Sequence, residues 1–556
     1  MNVADCVVDQ LAKLGLDTYF LVTGGAIVPF VDAVGRHPKT RHYCFQHEQG
    51  AAIAAEAYWR VSGKIAVVLC TSGPGVQNIL NGVCCCWYDS VPCLFISGQV
   101  NTSESLDSIS SRPRQVGFQE MPVVDVFKTC TLFAKQIQTP ETVSDIFSEA
   151  LSIVLYSERS GPVIVDFPVN IQMSVAAVNI TPPPIEYSWD VVDLVAEIKS
   201  SKRPLVIVGN GARSADIQTW IEAARVPFVT SWSAADIVPR DHPLYVGLHG
   251  VYGDRVSNFA VQNADLLIIL GSRMDTRQTG GDLAKCSKFS KRIMVDVDPE
   301  EMAKLDERGF KIDWKVRSTV AAFLRANPVT GLVVSKWIAT INSWQSEFGK
   351  EPTHTDGVYS ILTDLWATLP DECIVIPDSG GNLTWVMQTI RPKKGQRVFS
   401  NLGNSTMGYA LPAAIGAAIG TNCRVPVWAI NGDGGIQMNI QELLTVAKYR
   451  LPVKNFVINN AGYGIIKQFQ DAYFEGRYTA TEASEVFGAA TPNLEKIGEG
   501  YGVEIIDIKI PVEQKIHPKC EFGNSLENMA PYRPELHKYM IVPPCESVKG
   551  VGWVSK

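Results

Sequence analysis

The residues best suited to chemistry form one constellation: Gly432-Asp433-Gly434 and, after 24 intervening residues, Asn459-Asn460. The apolar run 427–430 reads as a strand that delivers Asp433 to a sheet edge as a hard carboxylate ligand. The flanking glycines let the main chain approach a diphosphate closely. Residues 438–450 have helical spacing, with Leu443, Leu444, Val446 and Ala447 predicted to face inward. That helix returns the chain to a second apolar run, 455–458, which sets Asn460 beside Asp433. Asp and Asn oxygens, completed by diphosphate oxygens, suit Mg²⁺ or Ca²⁺ and not zinc. Two unrelated Gly/Asn turns would contain the same residue types; the strand–helix–strand spacing makes the pattern specific.

Such a site needs a parallel sheet behind it. Short apolar runs at 17–22, 65–70, 93–97 and 163–167 alternate with helix-like stretches and Gly-rich turns, the pattern of a parallel sheet covered on both faces. Thr181-Pro182-Pro183-Pro184-Ile185 reads as a linker, since consecutive prolines cannot join a helix. Runs at 205–208, 228–231, 266–270 and 293–297 define a second unit, and runs at 373–376, 427–430 and 455–458 a third. The expected class is α/β with three doubly wound units, at 1–180, 190–335 and 336–510, and a tail, 511–556, wrapping the surface.

Composition narrows the function. At 556 residues, with 46% hydrophobic and 19% charged residues, the chain is globular and multidomain. A net charge of −7 with no basic stripe argues against a nucleic-acid or membrane-surface partner. No apolar stretch is long enough to span a bilayer, the first residues lack a signal-peptide pattern, and the cytoplasm is the expected compartment. The 13 cysteines are expected to be reduced. The run Cys84-Cys85-Cys86 is expected to be buried and inert, because adjacent cysteines diverge and no second pair stands at zinc spacing.

These motifs resemble the thiamine diphosphate (ThDP) enzymes and, over nearly the whole chain, the catalytic subunits of acetolactate synthases. The resemblance implies three ThDP-enzyme domains: pyrimidine-binding, central FAD-binding-like and diphosphate-binding. It implies metal ligation by Asp433, Asn460 and the main-chain oxygen of Gly462, and diphosphate contacts at Gly432, Gly434, Gly435, Gly381 and Asn382. Glu48, in Gln46-His47-Glu48-Gln49-Gly50, would bond the aminopyrimidine and activate the cofactor. Taken alone, it is a helix cap or surface acid. In Asn404-Ser405-Thr406-Met407-Gly408, the Ser405 carbonyl would receive the 4′-amino group and Met407 would wedge between the rings. Gly25, in a Gly-Gly turn, would leave room for the donor. Gln119 would face substrate, Phe118 would be an apolar wall, and Arg277 would grip the acceptor's carboxylate.

The central unit poses a cofactor question. Gly209-Asn210-Gly211 invites a dinucleotide reading, but Ser214 stands at the third glycine position and the next strand ends without a ribose-binding acid. The resemblance implies FAD instead, held by Arg159, Gly209, Asn210, Ser231, Trp232, Leu248, His249, Gly271, Arg273, Asp275, Asp296 and Val297; the other reading is a structural relic of a lost flavin site. The implied reaction decarboxylates pyruvate and transfers the acetaldehyde unit to a second carbonyl, by default pyruvate, giving 2-acetolactate. A keto-sugar or diketone acceptor, a pyruvate oxidase and a decarboxylase remain open. The chain departs from the family in having Phe469 for Trp, Ala461-Gly462-Tyr463 for Gln-His-Leu, and Gly381-Asn382 for Gln-His. A homodimer or homotetramer with the active site between chains is expected.

Overall fold

The computed structural model describes residues 1–355 and 357–545, so the end of the expected tail, 546–556, lies outside the described residues. Three parallel sheets form the frame. Strands such as Val67–Cys70 and Leu266–Leu270 are apolar at every position and buried throughout, as strands covered by helices on both faces must be.

The order of strands places the chemistry. In the first sheet Thr18–Leu21 lies between Arg41–Cys44 and Val67–Cys70. In the second, Pro204–Val208 lies between Phe228–Thr230 and Leu266–Leu270. In the third, Cys373–Pro377 lies between Gln396–Val398 and Val427–Gly432. In each sheet the winding reverses beside that strand, and the loops leaving it and its later neighbour part to open a crevice at the carboxyl ends. The three crevices are therefore bordered by Gly24-Gly25 with Thr71–Gly73, by Gly209 with Gly271, and by Asp378 with Asp433. At the first the Thr71 side chain fills the space beside Gly24, 2.5 Å from where a Cβ would lie, and at the second the backbones nearly touch, a Cβ on Gly209 lying 2.1 Å from the Gly271 carbonyl oxygen.

Two helices join the first and third units. Glu48–Ser62 and Ala410–Gly420 are Ala/Gly-rich and buried over most of their length. They cross so closely that a Cβ on Gly416 would lie 1.9 Å from the Ala54 carbonyl oxygen. Each helix begins at a predicted functional element, Glu48 in one case and the stretch just after Met407 in the other.

Several expectations need correction. The predicted 438–450 helix is a 3₁₀ turn, Ile440–Glu442, followed by Leu443–Tyr449. Leu444 does not pack inward but is 44% exposed, and Thr445 is buried beside it. The tail does not merely wrap the surface, since Leu526 and Met529 are fully buried and Leu526 joins the core of the second unit. Of the cysteine run, Cys85 and Cys86 are buried as expected, whereas Cys84 is half-buried, and a hydrogen bond with Cys130 lowers its thiol pKa. No described helix is long and apolar enough to cross a membrane.

Gly416→Ala puts a carbon where the Ala54 carbonyl already sits, so the helices must separate. The expected cost is about 1–3 kcal/mol, read as a lower urea midpoint; an unchanged midpoint would show that the crossing is not tightly constrained.

Candidate active site

The third crevice contains the acidic turn. Asp433 opens a short helix, Asp433–Ile436, directly after its strand and is almost fully buried. Its Oδ2 accepts hydrogen bonds from the Gly462 N–H at 2.9 Å and the Thr491 hydroxyl at 3.0 Å, and its Oδ1 from the Gly434 N–H at 3.0 Å. Burial raises its pKa, and these hydrogen bonds oppose that shift. Asn460 is buried nearby, its amide nitrogen 2.4 Å from where a Cβ on Gly464 would lie. A Cβ on Gly434 would strike the Tyr463 ring at 2.3 Å, so glycine is required there. Asp433 and Gly462 thus meet, and the pairing of Gly432 with Ile458 brings Asn460 to the same end of the sheet. One carboxylate, one amide and a main-chain group fit a hard, oxygen-ligated cation. Among the described residues no cluster of three or more His, Cys, Asp or Glu offers another metal site.

Asn382 stands across the crevice, in the first turn of Gly381–Thr389, and donates to the carbonyls of Asp378 and Ile430, both at 3.0 Å. Its Oδ1 lies 3.5 Å from the Cβ position of Gly432. Ser405 adopts a left-handed φ of 55°, and Met407 is half-buried. The Arg277 guanidinium donates to the Ser405 hydroxyl at 3.2 Å, so the predicted acceptor-binding and cofactor-bending residues meet.

In the first crevice Glu48 is the first residue of its helix and is buried. Its Oε2 accepts a hydrogen bond from Asn78 Nδ2 at 2.9 Å, and its Oε1 lies 3.4 Å from the Cβ position of Gly75. Gly25 has open space around its Cβ position. Gln119 adopts a φ of 64° and packs against Gly73. Phe118 is 86% exposed on the single chain.

A cavity of about 720 Å³ opens at the second crevice. Arg159, Asn210, Ser231, Trp232, His249 and Gly271 line it, as do Arg273, Asp275, Asp296, Val297 and Arg277. Leu248 instead lies in a hydrophobic core, and Gly209 supplies the close crossing with Gly271. Arg159 is ion-paired with Asp298 and Glu301. Burial pushes His249 down to about 4, so its ring is neutral at pH 7, with Nδ1 against the Thr230 carbonyl.

Sequence reasoning missed two buried carboxylates. Asp378 directly follows the fully buried strand Cys373–Pro377 at the third crevice. Glu442 sits among apolar residues at helical spacing and accepts from the Gln46 and His47 N–H groups at 3.1 and 3.0 Å, which fixes the approach to Glu48.

Sequence models of thiamine pyrophosphate enzymes match all three units: the N-terminal TPP binding domain at 1–127, the central domain at 191–326 and the C-terminal TPP binding domain at 378–526. Crevices of this kind, carried on these three domains, define a thiamine diphosphate enzyme. The acetolactate synthase large subunit of Corynebacterium glutamicum is 30% identical over 549 residues, covering 95% of this chain and 85% of that protein. The isozyme 2 large subunit of Escherichia coli is 31% identical, covering 90% of each chain. Acetolactate synthase 1, chloroplastic, of Oryza sativa is 30% identical, covering 95% of this chain and 83% of that protein. The chain belongs to the acetolactate synthase large-subunit family of thiamine pyrophosphate enzymes.

Burial pushes the Glu442 carboxyl up to about 7 from 4.5. Between those values the folded chain keeps a proton that the unfolded chain has lost, so this group's contribution to stability falls as pH rises through the window. Glu442→Gln removes that term, while its amide oxygen can still accept from Gln46 and His47. The stability of the variant relative to the parent should therefore rise between about pH 5 and pH 7, read from urea midpoints; a pH-independent difference would contradict it.

Proposed function

We propose that the chain is a ThDP- and Mg²⁺-dependent carboligase that decarboxylates pyruvate and transfers the two-carbon unit to a second carbonyl, by default pyruvate, giving 2-acetolactate. The observation that carries this reading is Glu48, a buried carboxylate held through one oxygen by Asn78 while the other faces the step left by Gly75. Thiamine diphosphate, when bound, supplies a nucleophilic carbon and an electron sink for loss of CO₂.

The chain's own residues do the rest. Glu48 holds a proton at Oε1 toward the pyrimidine nitrogen, a task suited to a carboxyl shielded from water. Asp433, the Asn460 amide oxygen and the Gly462 carbonyl would hold Mg²⁺, and Gly381, Asn382, Gly432, Gly434 and Gly435 would border the diphosphate. The Ser405 carbonyl would receive the amino group, and Met407 would keep the cofactor bent. Gly25 leaves room for the donor, Gln119 would make a polar contact with substrate, and Arg277 would orient the acceptor through its carboxylate.

The central cavity would hold FAD, with Arg159, Arg273 and Ser231 among the groups around it. A flavin bound to the purified protein tests that part. A colourless protein that added FAD does not stabilise removes it.

Two copies would complete each active site, Glu48 of one facing Asp433 of the other. The exposure of Phe118 supports this, since a phenyl ring so placed is one that a second copy can cover. A larger acceptor, a keto sugar or diketone, is the second reading. Phe469, packed against Tyr473 with ring centroids 4.7 Å apart, favours it, since Phe where the family carries Trp would make a smaller aromatic wall and lacks the indole donor.

Glu48→Gln keeps the shape and removes the proton. CO₂ release from pyruvate should fall by about 10²–10⁴-fold while ThDP still binds, measured by gas release and by fluorescence titration. Near-parental turnover in the variant would remove Glu48 from the chemistry.

A further inference from the structure

Residues 401–409 form neither helix nor strand, and two of them, Ser405 and Gly408, have φ values of 55° and 86°. An irregular segment that must present a carbonyl and a Met side chain at fixed positions depends on outside partners for its main-chain groups.

Its two halves are anchored separately. Asp89 accepts hydrogen bonds from the N–H groups of Leu402 at 3.0 Å and Gly403 at 2.7 Å, and from the Asn401 amide at 3.2 Å. The Asn401 oxygen in turn accepts from the Ser405 N–H at 3.1 Å. On the far side of Met407, Asp378 accepts from the Gly408 N–H with both oxygens at 2.9 Å and from the Tyr409 N–H at 3.0 Å. The Ser379 N–H adds a fourth contact at 2.8 Å. Asp378 is 0% exposed. Its other neighbour is Gly435, where a Cβ would lie 2.1 Å from Oδ2.

We propose that Asp378 is a positioning residue that locks the 405–407 loop to the 432–435 turn, fixing the pyrimidine end of the cofactor relative to its diphosphate end. The inference rests on the cofactor placement proposed above. A carboxylate is suited to the position because three main-chain N–H groups converge on its two oxygens. An amide offers one oxygen, and its NH₂ would face a donor. The missing side chain at Gly435 is part of the same device, because it lets the carboxylate reach the turn.

The test uses the full chain with Mg²⁺ and ThDP, comparing the parent with Asp378→Asn and Gly435→Ala. Four quantities are read: ThDP affinity by fluorescence, near-ultraviolet circular dichroism of the bound aminopyrimidine, kcat for CO₂ release at saturating ThDP, and the melting temperature without cofactor. A displaced loop leaves the diphosphate end bound but misplaces the reacting end. In Asp378→Asn, kcat should therefore fall by about 10²-fold, the dichroism of the bound cofactor should change, and ThDP affinity should change by less than about tenfold. Gly435→Ala, which pushes on the same carboxylate, should change kcat and dichroism in the same direction. A lowered melting temperature with parental kcat and dichroism would show a purely structural role and overturn the proposal. If Asp378→Asn does not fold, parental kcat and dichroism in Gly435→Ala would overturn it. A parent that binds ThDP without releasing CO₂ from pyruvate would fail the reaction reading alone, and the dichroism comparison would still decide the role of Asp378.

Discussion

The helices Glu48–Ser62 and Ala410–Gly420 meet with essentially no side chain between them at one point, Gly416 against the Ala54 carbonyl. That approach explains why both helices are built from Ala and Gly. It also fixes the distance between the elements that begin them. Glu48 stands at the start of one helix, and the loop containing Ser405 and Met407 runs directly into the other. Close-packed interiors tolerate little volume change, so this crossing transmits position from the first unit to the third with little slack.

Around that crossing the protein buries acids and satisfies them. Glu442 receives the N–H groups before Glu48, and Asp378 receives those after Met407. Glu56, fully buried, pairs with Arg60 and accepts the Tyr409 hydroxyl at 2.5 Å. A buried charge without such partners would be costly. With them it holds an otherwise irregular backbone in one arrangement, which is what a site needs when its cofactor must be held at both ends.

Much of the frame was legible in the sequence, because strands buried on both faces announce themselves as unbroken apolar runs. The edge strands were not. Arg41–Cys44 has no fully buried position, and Trp314–Arg317 alternates charged and apolar residues, so neither has an apolar run to find. Strand order was hidden too, since it is set by crossover connections and not by composition, and with it the fact that the three crevices arise at the same kind of winding reversal. Asp433 and Asn460 could be found because their chemistry is tied to short-range spacing. Asp378 and Glu442 act on backbone groups remote in sequence, and no local pattern marks such contacts. Phe118 is a different case, a motif residue that the single chain leaves exposed.

Central to this account is a pyruvate-derived two-carbon unit leaving a ThDP site for a second carbonyl. The most direct measurement incubates the purified protein with ThDP, Mg²⁺, FAD and ¹³C-labelled pyruvate and follows the products by NMR. Labelled 2-acetolactate formed at a steady rate, with CO₂, is the predicted result. Labelled acetaldehyde or acetoin without acetolactate would retain pyruvate as donor and move the acceptor to a keto sugar or diketone. Pyruvate recovered unchanged would contradict the account.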